Sequence, residues 1–141
     1  QENMSLSLRY GNIFSIIIID IDFFKKINDN FGHQVGDDVL KECSYILSQN
    51  IRNVDTLGRW GGEEFLVVCP ETLKNGAKDL AIKLNKAIKL HKFTTYPHSV
   101  TISVGVASCS VKDLNYDDII SNADKALYEA KNNGRDRVEI F

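Results

Sequence analysis

The fold is decided by one stretch near the start of the chain: Ile13-Phe14-Ser15-Ile16-Ile17-Ile18-Ile19-Asp20-Ile21-Asp22. A short run rich in β-branched residues and without polar alternation fits a central strand that is buried on both faces. Asp20 and Asp22 then follow at the C-terminal end of the buried run. The stretch therefore predicts the middle of a sheet, with two carboxylates at the end of its central strand.

The sequence on either side predicts the elements that surround this strand. First come a helix over 23–30 stopped near Gly32 and a longer helix opened by Gly36. They are followed by a hairpin of strands 57–60 and 65–68, whose glycines can take positive φ, and by a helix capped by Thr72 with Leu73 facing the core. The last elements are an alternating strand over 100–106, a helix from about Tyr116 with Gly134 just past its end, and an edge strand over 138–140. The order βααββαβαβ contains a hairpin, which disfavours a doubly wound parallel sheet. We expect an α+β fold with a mixed central β-sheet flanked by helices.

Composition limits the function classes. At 141 residues the chain is predicted to be a single domain, 1–141, and its 17 Lys and Arg against 19 Asp and Glu provide no basic stripe for nucleic acid. The three cysteines are widely spaced in apolar patterns, which predicts reduced core thiols and neither zinc nor disulfides. The apolar run is far shorter than the ~20 residues of a membrane span. We expect a cytoplasmic domain without membrane contact, which is a fragment of a larger protein that could itself be membrane-anchored.

A second acidic pair, Glu63-Glu64, lies in the turn that joins the two hairpin strands. Carboxylates that meet where strands end repel one another and raise one another's pKa, and a divalent cation held by oxygen ligands removes that cost. The alternative is that Glu63 and Glu64 are solvated turn residues and that Asp22 caps the next helix. The two acidic doublets together favour a cation site.

Two further residue pairs have both a functional and an ordinary interpretation. Asn28 and Asp37 could hydrogen-bond a purine and would favour guanine, or they could serve as a helix terminator and a partner of the helix dipole. Lys131 and Arg135, four residues apart, could hold a terminal phosphate or simply stabilise a helix C-terminus.

Several motifs in a fixed order resemble a known family. They are Asp20-Ile21-Asp22-Phe23-Phe24-Lys25-Lys26-Ile27-Asn28-Asp29, Gly32-His33, Gly36-Asp37, Arg59-Trp60-Gly61-Gly62-Glu63-Glu64-Phe65, Ser103-Val104-Gly105, Ala123-Asp124-Lys125-Ala126-Leu127-Tyr128, and Ala130-Lys131 with Gly134-Arg135. From about Ile13 to the C-terminus the chain resembles the GGDEF family of diguanylate cyclases, in its GGEEF variant.

The resemblance implies a fold like that of the nucleotidyl cyclases and the polymerase palm. It also implies a reaction in which two GTP molecules are condensed into cyclic di-GMP with release of two pyrophosphates. Each domain would bind one GTP, so that catalysis needs a transient face-to-face homodimer. An upstream sensor or receiver domain is expected in the full protein. The alternative is a non-catalytic regulatory module that binds GTP or cyclic di-GMP.

The resemblance also implies a role for individual residues. Mg²⁺ or Mn²⁺ would be bound by Asp20, the Ile21 carbonyl, Glu63 and Glu64. Substrate would be bound by Phe23, Phe24, Asn28, His33, Asp37, Leu40, Lys131 and Arg135. The catalytic residues would be Glu63, Glu64 and Lys25.

A product-inhibition site is implied by the motif Arg52-Asn53-Val54-Asp55. Arg52 and Asp55 would bind cyclic di-GMP, and Lys83 stands where family members often have a second arginine with a bidentate guanidinium. The family's usual N-terminal helix has no counterpart in the sequence. We therefore expect the isolated chain to be a weak cyclase.

Overall fold

The structure is a computed structural model, and it describes residues 13–109 and 115–141. The elements are β1 (Phe14–Ile21), α1 (Phe24–Phe31), α2 (His33–Asn50), β2 (Thr56–Arg59), β3 (Glu64–Pro70), α3 (Lys74–Leu90), β4 (Ile102–Cys109), α4 (Tyr116–Asn132) and β5 (Arg137–Ile140). Their order is the predicted βααββαβαβ. The α+β class with a mixed sheet is confirmed.

The described strands form one sheet in the order β2-β3-β1-β4-β5. The central strand β1 is antiparallel to both β3 and β4, while β4 and β5 are parallel. Asp20 is paired with Glu64 on one side and with Ser103 on the other. The end of β1 is thus placed directly beside the β2–β3 hairpin.

Helices cover both faces of the sheet, which explains the unbroken apolar run in β1. Ile16 and Ile18 pack in a cluster that includes apolar side chains of α4. Ile17 and Ile19 pack in the opposite cluster, which includes apolar side chains of α1, α2 and α3. Every residue of β1 is buried. With both faces covered, a polar alternation would place polar side chains in one of the two cores.

Helix α4 approaches β4 very closely at Gly105. A Cβ at this position would lie 2.2 Å from the carbonyl oxygen of Ala123 and 2.4 Å from the backbone nitrogen of Leu127. Only glycine allows this backbone contact. The contact fixes α4 against the sheet, and α4 carries Lys131 in its last turn.

Three local predictions about helix starts are wrong. Helix α2 begins at His33 rather than Gly36, which puts Asp37 beyond its first turn. The residue before α3 is Leu73, and no side chain caps that helix. Thr72 instead donates its hydroxyl to the carbonyl oxygen of Pro70, at 2.8 Å. Leu73 is 57% exposed and does not face the core.

The hairpin is confirmed, although its glycines do not have the expected backbone. Among the described residues, the glycines with positive φ are Gly32 and Gly134. The turn is closed by a hydrogen bond from the Trp60 N–H to the carbonyl of Glu64, and by Arg59, whose guanidinium donates to the carbonyl of Gly62. Hydrogen bonding to the turn carbonyls therefore shapes this loop, and a left-handed glycine is not needed.

Cys43, Cys69 and Cys109 are all buried, as predicted for core thiols. Burial raises the pKa of Cys43 and of Cys69 to about 12. In the described ranges, 13–109 and 115–141, no helix has the length and apolar character needed to cross a bilayer.

Candidate active site

Three carboxylates meet at the end of β1. Asp20, which is 5% exposed, lies opposite Glu64 in the strand register. The Ile21 N–H donates to the carbonyl of Glu63 at 3.3 Å, which anchors the tip of the hairpin beside β1. The sheet register thus brings together the two acidic pairs that are more than forty positions apart in the sequence.

The acids perturb one another. Burial, followed by the charge of Asp20 and a hydrogen bond with it, raises the pKa of Glu63 to about 7. Burial and Asp20 also raise the pKa of Glu64, to which the charge of Asp124 contributes. The ammonium of Lys131 acts in the opposite direction on both glutamates. The site is therefore short of positive charge.

The donor set fits a hard divalent cation without being preformed for one. Carboxylate and carbonyl oxygens are the ligands that Mg²⁺ prefers. A cation would offset the burial and the repulsion that raise the pKa of Glu63 and Glu64. No group of three or more His, Cys, Asp or Glu side chains within residues 13–109 and 115–141 has the arrangement of a metal site. Instead, Lys131 forms an ion pair with Asp20.

The end of α4 places two cations at this site. Gly134 has a φ of 120°, and the Arg135 N–H donates to the carbonyl of Ala130 at 2.9 Å, which is a Schellman pattern. Gly134 thus lies just past the end of the helix, as predicted. Lys131, in the last turn, reaches Asp20. The guanidinium of Arg135 lies 4.9 Å from the ring centroid of Phe23.

Asp22 has a structural role that sequence reasoning missed. It is 4% exposed and accepts hydrogen bonds from Thr101 Oγ1 at 2.7 Å, Ser103 Oγ at 2.6 Å and the Asp136 N–H at 3.0 Å. Helix α1 begins after Phe23 without a side-chain cap, so the capping role suggested for Asp22 is wrong. Asp22 joins β1, the start of β4 and the loop before β5. The hydrogen-bond partners of Asp22 are so far from it in the sequence that no local pattern predicts this role.

The two candidate purine-binding residues lie at the contact between α1 and α2. A Cβ on Gly36 would fall 1.8 Å from Asn28 Oδ1, so the Asn28 side chain rests on the bare backbone of Gly36. Asp37, the next residue, is exposed, and Leu40, one turn further on, is partly buried against the core. Asn28 and Asp37 are therefore brought near one another.

Two of the predicted site residues lie apart from the acidic cluster. Lys25, in the first turn of α1, and His33, the first residue of α2, are both exposed. Among the hydrogen bonds and ion pairs of the described residues, none joins either side chain to the acidic cluster.

A second cluster surrounds Arg52 and Asp55. The Asp55 carboxylate accepts from the Arg52 N–H at 2.9 Å and from Nε and Nη2 of the guanidinium. Nη2 also donates to Thr72 Oγ1 at 2.6 Å. The hydrogen bond to Asp55 is the main reason that the pKa of Arg52 is raised. Lys83 is exposed on α3 and takes no part in these bonds.

Residues 1–137 match the family described as diguanylate cyclase, GGDEF domain. The chain belongs to the GGDEF family. The match begins earlier than the predicted start at Ile13. The predicted lack of the family's N-terminal helix concerns residues 1–12, which are outside the described residues.

Curated relatives of this GGDEF chain include Diguanylate cyclase A of Treponema denticola, 45% identical over 129 residues, which are 89% of this chain and 34% of the relative. Another is the response regulator PleD of Caulobacter vibrioides, 39% identical over 132 residues, which are 91% of this chain and 29% of the relative. The chain thus spans about a third of these proteins.

Solved structures agree with the fold. The active GGEEF domain of a diguanylate cyclase from Vibrio cholerae superposes with a TM-score of 0.90 at 36% identity, over 100% of this chain and 90% of that one. The GGDEF domain of DgcB from Caulobacter crescentus in complex with c-di-GMP superposes with a TM-score of 0.88 at 26% identity, over 96% of this chain and 82% of that one.

Proposed function

We propose that this GGDEF chain is the catalytic domain of a diguanylate cyclase, which condenses two GTP molecules into cyclic di-GMP and two pyrophosphates. The observation that carries the proposal is the acidic cluster of Asp20, Glu63 and Glu64, in which Lys131 is paired with Asp20. A second cation, Arg135, lies 3.8 Å from the carboxylate of Asp22, two residues further along the chain. Acids that can hold a cation, next to cations that can hold phosphate, suit a nucleoside triphosphate. The names of the relatives support the same activity.

Asp20, Glu63 and the carbonyl of Ile21 would hold Mg²⁺ or Mn²⁺, with Glu64 sharing in the site. Such an ion, when bound, polarises phosphoryl oxygens and lowers the pKa of a hydroxyl that it contacts. The unmet negative charge among the carboxylates supports this assignment.

The reaction needs one proton acceptor for each bond formed. The 3′-oxygen of one GTP attacks the α-phosphorus of the other, the bond from that phosphorus to the pyrophosphate oxygen breaks, and the hydroxyl proton leaves. Glu63 would accept this proton as the general base. Lys25, Lys131 and Arg135 would stabilise charge on the phosphoryl oxygens. In a second, equivalent step, the 3′-oxygen of the other nucleotide attacks the α-phosphorus of the first, which releases the second pyrophosphate and closes the ring.

Guanine would be recognised where α1 meets α2. Asp37 would accept from guanine N1–H and from the 2-amino group, Asn28 would offer its amide, and Leu40 and His33 would line the pocket. The backbone of Phe23 and Phe24 would meet the phosphates. Each domain holds half of the reacting atoms, so two copies must meet face to face.

The activity is tested by incubating the chain with GTP and Mg²⁺ and measuring cyclic di-GMP by chromatography at several protein concentrations. We expect a rate that rises more steeply than linearly with concentration, because dimer assembly is required. Glu63→Gln should lower the rate by about 10²- to 10⁴-fold. Glu129→Gln, at an exposed glutamate of α4, is the matched control. Equal product from wild type and Glu63→Gln, or no product at any concentration, would contradict the proposal.

A regulatory role for the second cluster is part of the proposal. Arg52 would bind the guanine or phosphate of cyclic di-GMP, Asp55 a guanine edge, and Lys83 would contribute a single charge. The Arg52 side chain is 51% exposed although it is paired with Asp55, so one face of its guanidinium is open to a ligand. Calorimetry with cyclic di-GMP tests this, with Lys86→Ala, at an exposed cation of α3, as the control for Arg52→Ala. Binding of nucleotides without any turnover would favour the alternative, a non-catalytic binding module.

A further inference from the structure

The loop between α4 and β5 has an unusual backbone. Gly134, Arg135 and Asp136 have φ values of 120°, 65° and 48°. Left-handed conformations in two successive residues other than glycine are uncommon, and they persist only where surrounding contacts hold them. The loop therefore needs contacts that compensate for its backbone.

Asp136 supplies these contacts on two sides. Its N–H donates to the Asp22 carboxylate at 3.0 Å. Its own carboxylate accepts from Asn85 Nδ2 at 3.2 Å and forms an ion pair with Lys89 Nζ at 2.6 Å. Asn85 and Lys89 belong to α3, so the loop is tied to the end of β1 and to a helix at once.

The loop and the end of β1 present two stacked groups. Arg135 lies over the ring of Phe23, and its Nη1 is 3.8 Å from Asp22 Oδ1. Phe23 is itself left-handed, with a φ of 57°, and follows Asp22 directly. The same buried carboxylate thus adjoins Phe23 in sequence and holds the residue after Arg135. The Asp22 carboxylate therefore lies next to both partners of the stack, by ion pairing with Arg135 and by sequence with Phe23.

We propose that Asp22 and Asp136 are positioning residues that hold the left-handed loop so that Arg135 is aimed at the terminal phosphate of the bound nucleotide. Asn85 and Lys89 of α3 complete the tether. The inference rests on the proposed function, in which this chain binds GTP through Lys131 and Arg135. It assigns to Asp22, Asp136 and α3 a role in recognising the third phosphate, without contact to the substrate.

The experiment compares nucleotides that cannot react. Calorimetry in Mg²⁺ gives the affinities of 3′-deoxy-GTP and 3′-deoxy-GDP, and their ratio reports recognition of the terminal phosphate. A charge-assisted hydrogen bond to phosphate is worth about tenfold in affinity, so Arg135→Ala should lower the ratio by about tenfold. Asp136→Ala should lower the ratio by a similar factor, although it touches no phosphate.

Conservative variants separate positioning from general damage. Asp136→Asn should restore most of the ratio, because asparagine tolerates positive φ and can still accept from Asn85. Lys89→Met removes only the ion pair on an exposed helix face and should lower the ratio modestly. Lys86→Met, at an exposed position of the same helix, is its control. Circular dichroism confirms that each variant is folded, and Lys89→Met carries the test if Asp136→Ala does not fold.

The outcomes are distinct. If wild type does not bind 3′-deoxy-GTP, both the proposed function and this inference are wrong. If wild type prefers the triphosphate and Arg135→Ala loses that preference while Asp136→Ala and Lys89→Met keep it, only this inference is wrong. Equal weakening of both nucleotides by Asp136→Ala would also overturn it, since that result indicates a merely structural role. A retained ratio in Arg135→Ala would overturn it as well.

Discussion

Gly36→Ala should impair guanine binding by moving Asn28 rather than by unfolding the protein. The new methyl group would fall 1.8 Å from Asn28 Oδ1, 2.9 Å from its Cγ and 3.3 Å from Phe24 Cζ. The first two contacts are too short for any pair of atoms, so the Asn28 side chain must rotate away. It can do so, because it is a flexible half-buried amide on a short helix.

The two consequences have different magnitudes. Alanine within a helix is favoured over glycine by about 1 kcal/mol, while overpacking costs about 1–3 kcal/mol. Because Asn28 can move, the free energy of unfolding should change by less than about 2 kcal/mol. Loss of one base hydrogen bond costs about 0.5–1.5 kcal/mol, which is a factor of about 2 to 13 in affinity.

A double-mutant cycle on the affinity for 3′-deoxy-GTP is the decisive assay. Asn28→Ala removes both the amide and the obstacle to a methyl group at position 36. Gly36→Ala should therefore weaken binding in the wild-type background and have almost no effect in the Asn28→Ala background. Measurements with 3′-deoxy-ITP separate the roles of Asn28 and Asp37, since its base, hypoxanthine, lacks the 2-amino group of guanine. Additive effects of the two substitutions would refute the argument.

Three further predictions concern stability. Gly105→Ala should destabilise the fold by about 3 kcal/mol in urea denaturation, because backbone atoms of α4 cannot move away, whereas Gly58→Ala has open space and should change stability by less than about 1 kcal/mol. Between pH 4.5 and about 7, the free energy of unfolding should fall as pH rises, because Glu63 keeps its proton in the folded state after the unfolded chain has lost it. Glu63→Gln should flatten this slope. An unchanged slope in Glu63→Gln would contradict the raised pKa of Glu63. Asp55→Ala should cost about 1–3 kcal/mol, because it removes a buried carboxylate that accepts charge-assisted hydrogen bonds from the half-exposed Arg52. A midpoint equal to wild type would show that the pair is not needed.

The sequence was sufficient for the order and type of the elements because hydrophobic periodicity reports burial directly. The run of isoleucines in β1 was correctly predicted to be a central strand, since only a strand covered on both faces lacks polar alternation. Element ends were less accurate. Helix α2 starts earlier than predicted. Thr72 is not a cap, because its hydroxyl donates to the carbonyl of Pro70 and accepts from the guanidinium of Arg52.

The candidate site was predictable in part for the same reason. Asp20 and the hairpin glutamates follow recognisable strands, so their meeting could be inferred from the order of elements. The roles of Asp22 and Asp136 could not, because their partners lie on β4 and α3 and carry no common spacing. The support that Gly36 gives to Asn28 is likewise a contact between two helices. Their crossing is set by packing rather than by local sequence.

The ion pair between Lys131 and Asp20 has a consequence for the order in which ligands arrive. The Lys131 ammonium already neutralises the Asp20 carboxylate that a divalent ion would need. A divalent ion without nucleotide must therefore displace this ammonium in order to bind. A triphosphate offers that ammonium another partner and frees the carboxylate. Metal and nucleotide should each raise the affinity for the other by the same factor. The domain would then bind the metal–nucleotide complex tightly and the free metal ion only weakly.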